Sequence, residues 1–303
     1  MKRIIVLGGS GFFGNQIVER LRAAGMQPIA ASRSHGEMQI DANNPDSLRS
    51  NLKVRDLVID AAGPFQTRTP ALIDTATRIG FDIIDLSDSP EYTAMIYERE
   101  APIVASGIRV LPACSTLSTL TAMTVQASTV EKPSRVTVYL RPESRFTANT
   151  GAVESFLRSI EGAERGGLKV KSVDAVTLPR LFPSLRRIDF IVDTGHTSGN
   201  FLLQFDWFRK QIAKHQAQAL KIARKIGPRK GLVRIEISSA IRKRSQTFYG
   251  ERSYMLAVLP AVQAATAIVA GQFPHRGIVP PTSHVDRAAL YDAIRAEGIE
   301  ITG

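Results

Sequence analysis

The chain has 303 residues, 44% hydrophobic and 22% charged, with a formal net charge of +11 at pH 7. Such a length suits one large or two modest domains with a real core. One cysteine, Cys114, excludes an internal disulfide framework, and the positive balance favours anionic partners without choosing among them.

Met1-Lys2-Arg3 runs straight into strand-like IIVLG (4–8), so no secretory signal is read and a cytoplasmic protein is expected. FFGNQIVERLRAAG (12–25) reads as a helix closed by Gly25. QPIAAS (27–32) and MQI (38–40) follow as strands, and PDSLRSNL (45–52) as a helix capped by Asn44. DLVIDAA (56–62) is a strand, TPALIDTATRIG (69–80) a helix, FDIIDL (81–86) a strand, SPEYTAMIYERE (89–100) a helix and PIVAS (102–106) a strand. Strand and helix alternating at this spacing predict βαβ units on a parallel sheet. Beyond about residue 130 the rhythm changes. SRVTVYLRP (134–142) alternates like an antiparallel strand, GAVESFLRSIEG (151–162) reads as a helix, and RRIDFIV (186–192) and LVRIEISSAI (232–241) read as strands. Between the last two lies FDWFRKQIAKHQAQALKIARKIG (205–227), predicted as one long amphipathic helix. The longest apolar stretch, 254–270, contains Pro260 and Gln263 and reads as a buried helix rather than a membrane span.

The expected fold is therefore α/β: a Rossmann-type doubly wound parallel sheet with a second α+β domain. Residues 1–130 plus about 250–303 would form the dinucleotide-binding domain, and about 131–249 a domain for substrate and dimerisation.

VLGGSGFFG (6–14) holds four glycines between the first strand and first helix. Gly9, Gly11 and Gly14 fit G-x-G-x-x-G: the first for the tight turn, the second for close approach to a pyrophosphate, the third for helix–sheet packing. Gly8, Gly9, Ser10, Gly11, Phe12 and Phe13 are the residues expected along the phosphates, at a helix N-terminus with free N–H groups. The second strand ends Ser32-Arg33-Ser34 rather than in Asp or Glu. Arg33 would pair with a 2′-phosphate and Ser32 would add a hydrogen bond, which favours NADP over NAD. Asp41, after the short third strand, suits either an adenine amino group or a turn.

Gly8, Gly11 and Gly14 also read as G-x-x-G-x-x-G, a short-chain dehydrogenase frame. None of the six tyrosines is followed four residues later by lysine, which argues against that chemistry. The five histidines show no metal spacing, one cysteine excludes a cysteine-rich zinc site, and neither Walker A nor Gly-x-Ser-x-Gly occurs, so no metal is expected.

DLVIDAAGPFQTRTPALIDTATRIGFDIIDLSD (56–88) resembles the saccharopine dehydrogenase-like family of NADP-binding reductases. VLGGSGFFG, IDANNPDSL, SGIRVLPACSTLSTLTAMTVQ (106–126) and the tail 267–301 resemble it too. The likeness covers about residues 1–130 and 250–303. It implies an oxidoreductase transferring hydride to or from a small anionic or lipophilic metabolite. Ala61, Ala62, Gly63 and Pro64 would leave room beside ribose and nicotinamide, with Pro64 fixing the turn. Asp88-Ser89 stands where the family often has Gly-Glu, so no substrate contact is carried over there, and saccharopine itself is not inferred.

Two other readings stay open. Cys114-Ser115-Thr116, read as opening a helix, is similar to the nucleophile segment of aspartate-semialdehyde dehydrogenases, whose thioacyl mechanism would need a base such as His196. A dinucleotide fold also serves in non-catalytic, redox-sensing scaffolds. Residues 201–230 join aromatics to eight Lys/Arg after Trp207, with Phe208, Ile212, Ala219, Ile222, Ala223 and Ile226 on one face. That segment reads as packed on the second domain's sheet, as a dimer interface, or as peripheral contact with an anionic membrane. Nothing resembles a nucleic-acid recognition motif.

Overall fold

The computed structural model describes residues 2–303. The chain divides into two compact units, Met1–Leu120 with Ala257–Leu290 and Thr121–Leu256 with Tyr291–Gly303.

The first unit is built on β1 (Ile4–Leu7), β2 (Pro28–Ser32), β3 (Met38–Gln39), β4 (Leu57–Asp60), β5 (Asp82–Asp85), β6 (Arg109–Leu111) and the returning strand Gly277–Ile278. Their order is Gly277–Ile278, β6, β5, β4, β1, β2, β3, and every pairing is parallel. All four residues of β1, β4 and β5 are buried. Layers on both faces explain why these strands are apolar runs rather than alternating ones. Each buried Ile, Val or Leu contributes roughly 1.5–3 kcal/mol of transfer free energy. Ion pairs Arg3–Asp56 (2.6 Å) and Lys2–Asp82 (2.7 Å) join the strand starts.

Local signals set the helix ends. Asn44 accepts hydrogen bonds from the Asp46 and Ser47 amides and caps Pro45–Asn51. Ser89 caps Pro90–Tyr97 in the same way. Gly80 closes Ala71–Ile79 in the left-handed conformation. Residues 102–106 depart from expectation: they form helix Glu100–Ser106, and the strand begins only at Arg109. Pro102 falls in the first helical turn, where its missing N–H costs nothing, and Gly107 at φ 67° ends the helix. The helix expected at Cys114 starts at Thr119.

The second unit carries β7 (Arg135–Arg141), β8 (Ile160–Glu164), β9 (Gly167–Val170), β10 (Arg187–Val192), β11 (Gly231–Ser238), β12 (Lys243–Gly250) and a final strand, Glu300–Thr302. The order is Glu300–Thr302, β12, β11, β7, β10, β9, β8. β7 runs antiparallel to β11 but parallel to β10, so the sheet is mixed. β11 alternates strictly, burying Val233, Ile235 and Ile237 on one face. Glu143, just past β7, is buried and accepts hydrogen bonds from the Arg252 amide (2.8 Å), the Tyr254 amide (2.7 Å) and the Ser253 hydroxyl (3.0 Å). Burial pushes its carboxyl up.

The segment 205–227 is two helices, not one. Asp206–Lys214 and Gln216–Ile226 meet at His215, which leaves the helical region at φ −114° and ψ 40°. Ile222 and Ile226 are exposed, so the inward face is narrower than the sequence pattern suggests. Among the described residues no helix is long and apolar enough to cross a membrane.

Candidate functional site

The strand order places β1 beside β4, with the following connections diverging from that pair: β2 and β3 lie to one side, β5 and β6 to the other. In an open parallel sheet, ligands settle beyond the strand ends at such a reversal. Two segments leave β1 and β4 there, 8–11 and 61–64.

The first is a tight turn. Gly8 has φ 72°, the Gly9 amide donates to Val6 O (3.1 Å) and Ala31 O (3.2 Å), and the Gly11 amide donates to Gly8 O (2.8 Å). The left-handed residue is thus Gly8, one place before the glycine expected to make the turn. Gly9 is glycine for another reason: a Cβ there would lie 2.8 Å from Ala30. At Gly8 a Cβ would lie 2.7 Å from Ala61 O, and at Gly14 it would run into the Gly8 carbonyl. Helix Phe12–Ala23 starts directly after Gly11 and has no acidic residue in its first turn. Ser10 and Gly11 are exposed, while Phe12 and Phe13 are half-buried with rings 5.1 Å apart, edge to face. The structure therefore presents an exposed helix N-terminus, sterically clear and positively polarised.

The second segment begins at Asp60, whose Oδ1 accepts the Ala62 amide (3.0 Å). Ala61 and Ala62 are half-buried, Gly63 is exposed, and the Gly63–Pro64 peptide is cis. Behind this turn lies a buried polar cluster that sequence reasoning missed. Asp60 Oδ2 takes a hydrogen bond from the Arg68 guanidinium, with side chains 0% and 5% exposed. In register beside Asp60 stands Asp85. Its Oδ1 accepts the Ser87 and Ala113 amides, each at 2.9 Å, while Oδ2 is buried with no hydrogen-bond partner among the described residues. Burial raises the Asp85 carboxyl to about 6, against the pull of its two amides and of Arg68. The Tyr92 hydroxyl is buried beside these groups, also with no partner among the described residues, and burial pushes it up. The signal was present as strands LVID and DIID, each closing on an aspartate, but these read as strand ends.

The residues expected to bind the adenosine end lie at the ends of β2 and β3. Arg33 is exposed and makes no ion pair among the described residues. The Ser32 hydroxyl is engaged with the His35 backbone and accepts its amide at 2.8 Å, so it shapes the β2–β3 turn. Asp41 Oδ1 accepts the Asn43 amide (2.9 Å), the turn alternative. Asn43 Oδ1 in turn accepts the Thr69 amide (3.1 Å), tying the turn after β3 to the one after β4.

Cys114 lies before the helix, not on it, and is fully buried. Burial pushes its thiol up, opposite to the depression a thiolate nucleophile requires. His196 is exposed in the second unit, with Nε2 3.1 Å from Ile226 O. Among the described residues no group of three or more His, Cys, Asp or Glu is arranged to hold a metal ion.

Strand order and glycine turn together define a Rossmann-type dinucleotide-binding fold with a second, mixed-sheet unit. No protein-family model matches the chain, and no curated protein does. Among solved structures it is similar to the dipicolinate-bound dihydrodipicolinate reductase of Paenisporosarcina sp. TG-14: 11% identity over 92% of this chain and 97% of that one, TM-score 0.42. It is also similar to the WlbA dehydrogenase of Thermus thermophilus in complex with NAD and alpha-ketoglutarate: 14% identity, 96% and 94% covered, TM-score 0.43. A third is aspartate semialdehyde dehydrogenase II of Vibrio cholerae: 14% identity, 80% and 76% covered, TM-score 0.37. Likenesses at this level concern the fold.

Proposed function

We propose that this chain is an NADP-dependent oxidoreductase of saccharopine dehydrogenase-like type, acting on a small anionic or lipophilic metabolite. The observation that carries the reading is the tight glycine turn at Gly8, Gly9 and Gly14, where a side chain would collide with Ala61, Ala30 or the Gly8 carbonyl. It lies against a helix N-terminus free of first-turn acids, at the reversal of a parallel sheet. Gly8 to Phe13 would hold the pyrophosphate, and Arg33 the 2′-phosphate. Asp41 and Ser32 would shape the adenosine end through the turns they fix. Ala61 to Pro64 would flank the nicotinamide ribose. The bound dinucleotide would supply the hydride-carrying ring; the protein supplies position and electrostatics.

Arg68 neutralises Asp60 behind the turn and so keeps a bare carboxylate away from that ring. Asp85, raised by burial to about 6, keeps its proton only in mildly acidic conditions. The second unit is assigned to substrate and to a homodimer contact, in a cytoplasmic setting.

The test is a metabolite thermal-shift screen with NADPH present, followed by absorbance of the reduced nicotinamide with each hit. NADPH consumption with a small carbonyl or imine substrate supports the reading. Bound NADPH that no metabolite oxidises would instead identify a scaffold. Cys114→Ser separates the thioacyl route: a direct hydride enzyme keeps its activity, whereas a thioacyl enzyme loses it.

A further inference from the structure

The dinucleotide reading leaves unused a surface of the second unit formed by residues 201–230. Phe201, Phe205, Trp207, Ile222 and Ile226 are exposed there, Trp207 by 60%. Phe146, exposed as well, sits on helix Ser144–Thr147, which packs against Gln216–Ile226. Large apolar side chains gathered in this number mark an interaction site rather than ordinary surface. The segment is held in place: Arg224 Nε donates to Ala148 O (3.0 Å) and Arg145 Nη2 to Lys225 O (2.9 Å). Phe201 and Phe205 pack edge to face at 5.4 Å.

Charge accompanies the rings. From 207 to 230 there are eight Lys or Arg and no Asp or Glu. On Asp206–Lys214 the exposed residues Trp207, Lys210, Gln211 and Lys214 fall at i, i+3, i+4 and i+7. On Gln216–Ile226 the same spacing places Gln218, Lys221, Ile222 and Lys225 outward. The second stripe carries Ile222 between Lys221 and Lys225, and the first carries Trp207 ahead of Lys214 and of Lys210, which pairs with Asp206 at 3.1 Å. Lys214, Lys221 and Lys225 make no ion pair among the described residues.

We propose that this face docks on an anionic bilayer surface, the two helices lying in the interfacial plane. Trp207, Ile222 and the phenylalanines would enter the headgroup boundary, and the lysines would meet lipid phosphates and carboxylates while their stems cover apolar ground. A second copy of this chain is the wrong partner on charge, because a two-fold contact sets each lysine stripe near its own symmetry mate. Among the described residues no helix is long and apolar enough to span, and the proposed contact is peripheral.

Trp207 is the only tryptophan, so its emission reports this face directly. The full chain is mixed with phosphatidylserine–phosphatidylcholine vesicles or with phosphatidylcholine vesicles, at low and raised salt. Expected are co-sedimentation and a blue shift with the anionic vesicles alone, both weakened by salt. Each lysine at such a surface is worth about fivefold in affinity, so Lys214→Glu with Lys221→Glu and Lys225→Glu should lose more than about a hundredfold. All three positions are exposed, and far-ultraviolet circular dichroism checks that the fold is kept. Equal binding to neutral vesicles, none at low salt, or full binding by the triple variant overturns the proposal. So does a blue shift that needs only higher protein concentration, which marks self-association. Tighter binding to a single-stranded oligonucleotide than to the anionic vesicles does the same.

Discussion

Asp60 and Arg68 form a buried ion pair across the turn that ends β4, eight residues apart in sequence. Neither charge has water to fall back on. Removing one partner of such a pair strands the other, at about 3–5 kcal/mol, whereas removing both with shape kept costs far less. Arg68→Met should therefore lower unfolding stability in urea by roughly that amount at pH 7, and adding Asp60→Asn should restore most of it. A single variant losing under about 1 kcal/mol would show that the pair does not brace the turn.

Arg33 is proposed to distinguish the two nicotinamide cofactors. A hydrogen bond to a charged group contributes about 1.5–3 kcal/mol. Arg33→Ala should then weaken NADPH binding by about ten- to a hundredfold and leave NADH unchanged, read by quenching or calorimetry. Equal losses for both would remove Arg33 from the 2′-phosphate.

Asp85 makes a pH prediction. Its folded value is raised to about 6 from an ordinary 3.8, so the folded chain holds the proton more tightly than the unfolded one. The stability this gives is full below about pH 3.8 and is lost as pH rises through 6, about 3 kcal/mol in all. His284 has the opposite sign. Buried between Thr119 Oγ1 (2.7 Å) and Val279 O (3.0 Å), it is pushed down to about 3, and its contribution is lost as pH falls below about 6.5. Comparing wild type with Asp85→Asn cancels the histidine. Relative to the variant, wild type should lose up to about 3 kcal/mol between pH 4 and pH 7. A difference flat in pH contradicts a raised Asp85.

The sheet was legible because strands buried on both faces leave unbroken apolar runs, as in IIVL and LVID. Asn44 and Gly25 announced helix ends through chemistry that acts over three or four residues. The helix at 100–106 was not legible. A short apolar run fits strand or helix equally, and a proline in a first turn is silent. No glycine or proline marks the break at His215 either. At the candidate site the glycine turn could be read from its place between strand and helix. The Asp60–Arg68–Asp85 cluster could not, because its pairing depends on how the turn after β4 folds back over two strand ends.

The glycine turn is proposed to hold a dinucleotide, NADP in preference to NAD. Calorimetric titration of the full chain with NADPH and NADH, alongside Gly14→Ala, tests it most directly. Expected is saturable binding of NADPH well ahead of NADH, and none in the variant, whose added methyl collides with the Gly8 carbonyl. NADH binding as tightly as NADPH would contradict the cofactor assignment, and undiminished binding by Gly14→Ala would contradict the site itself.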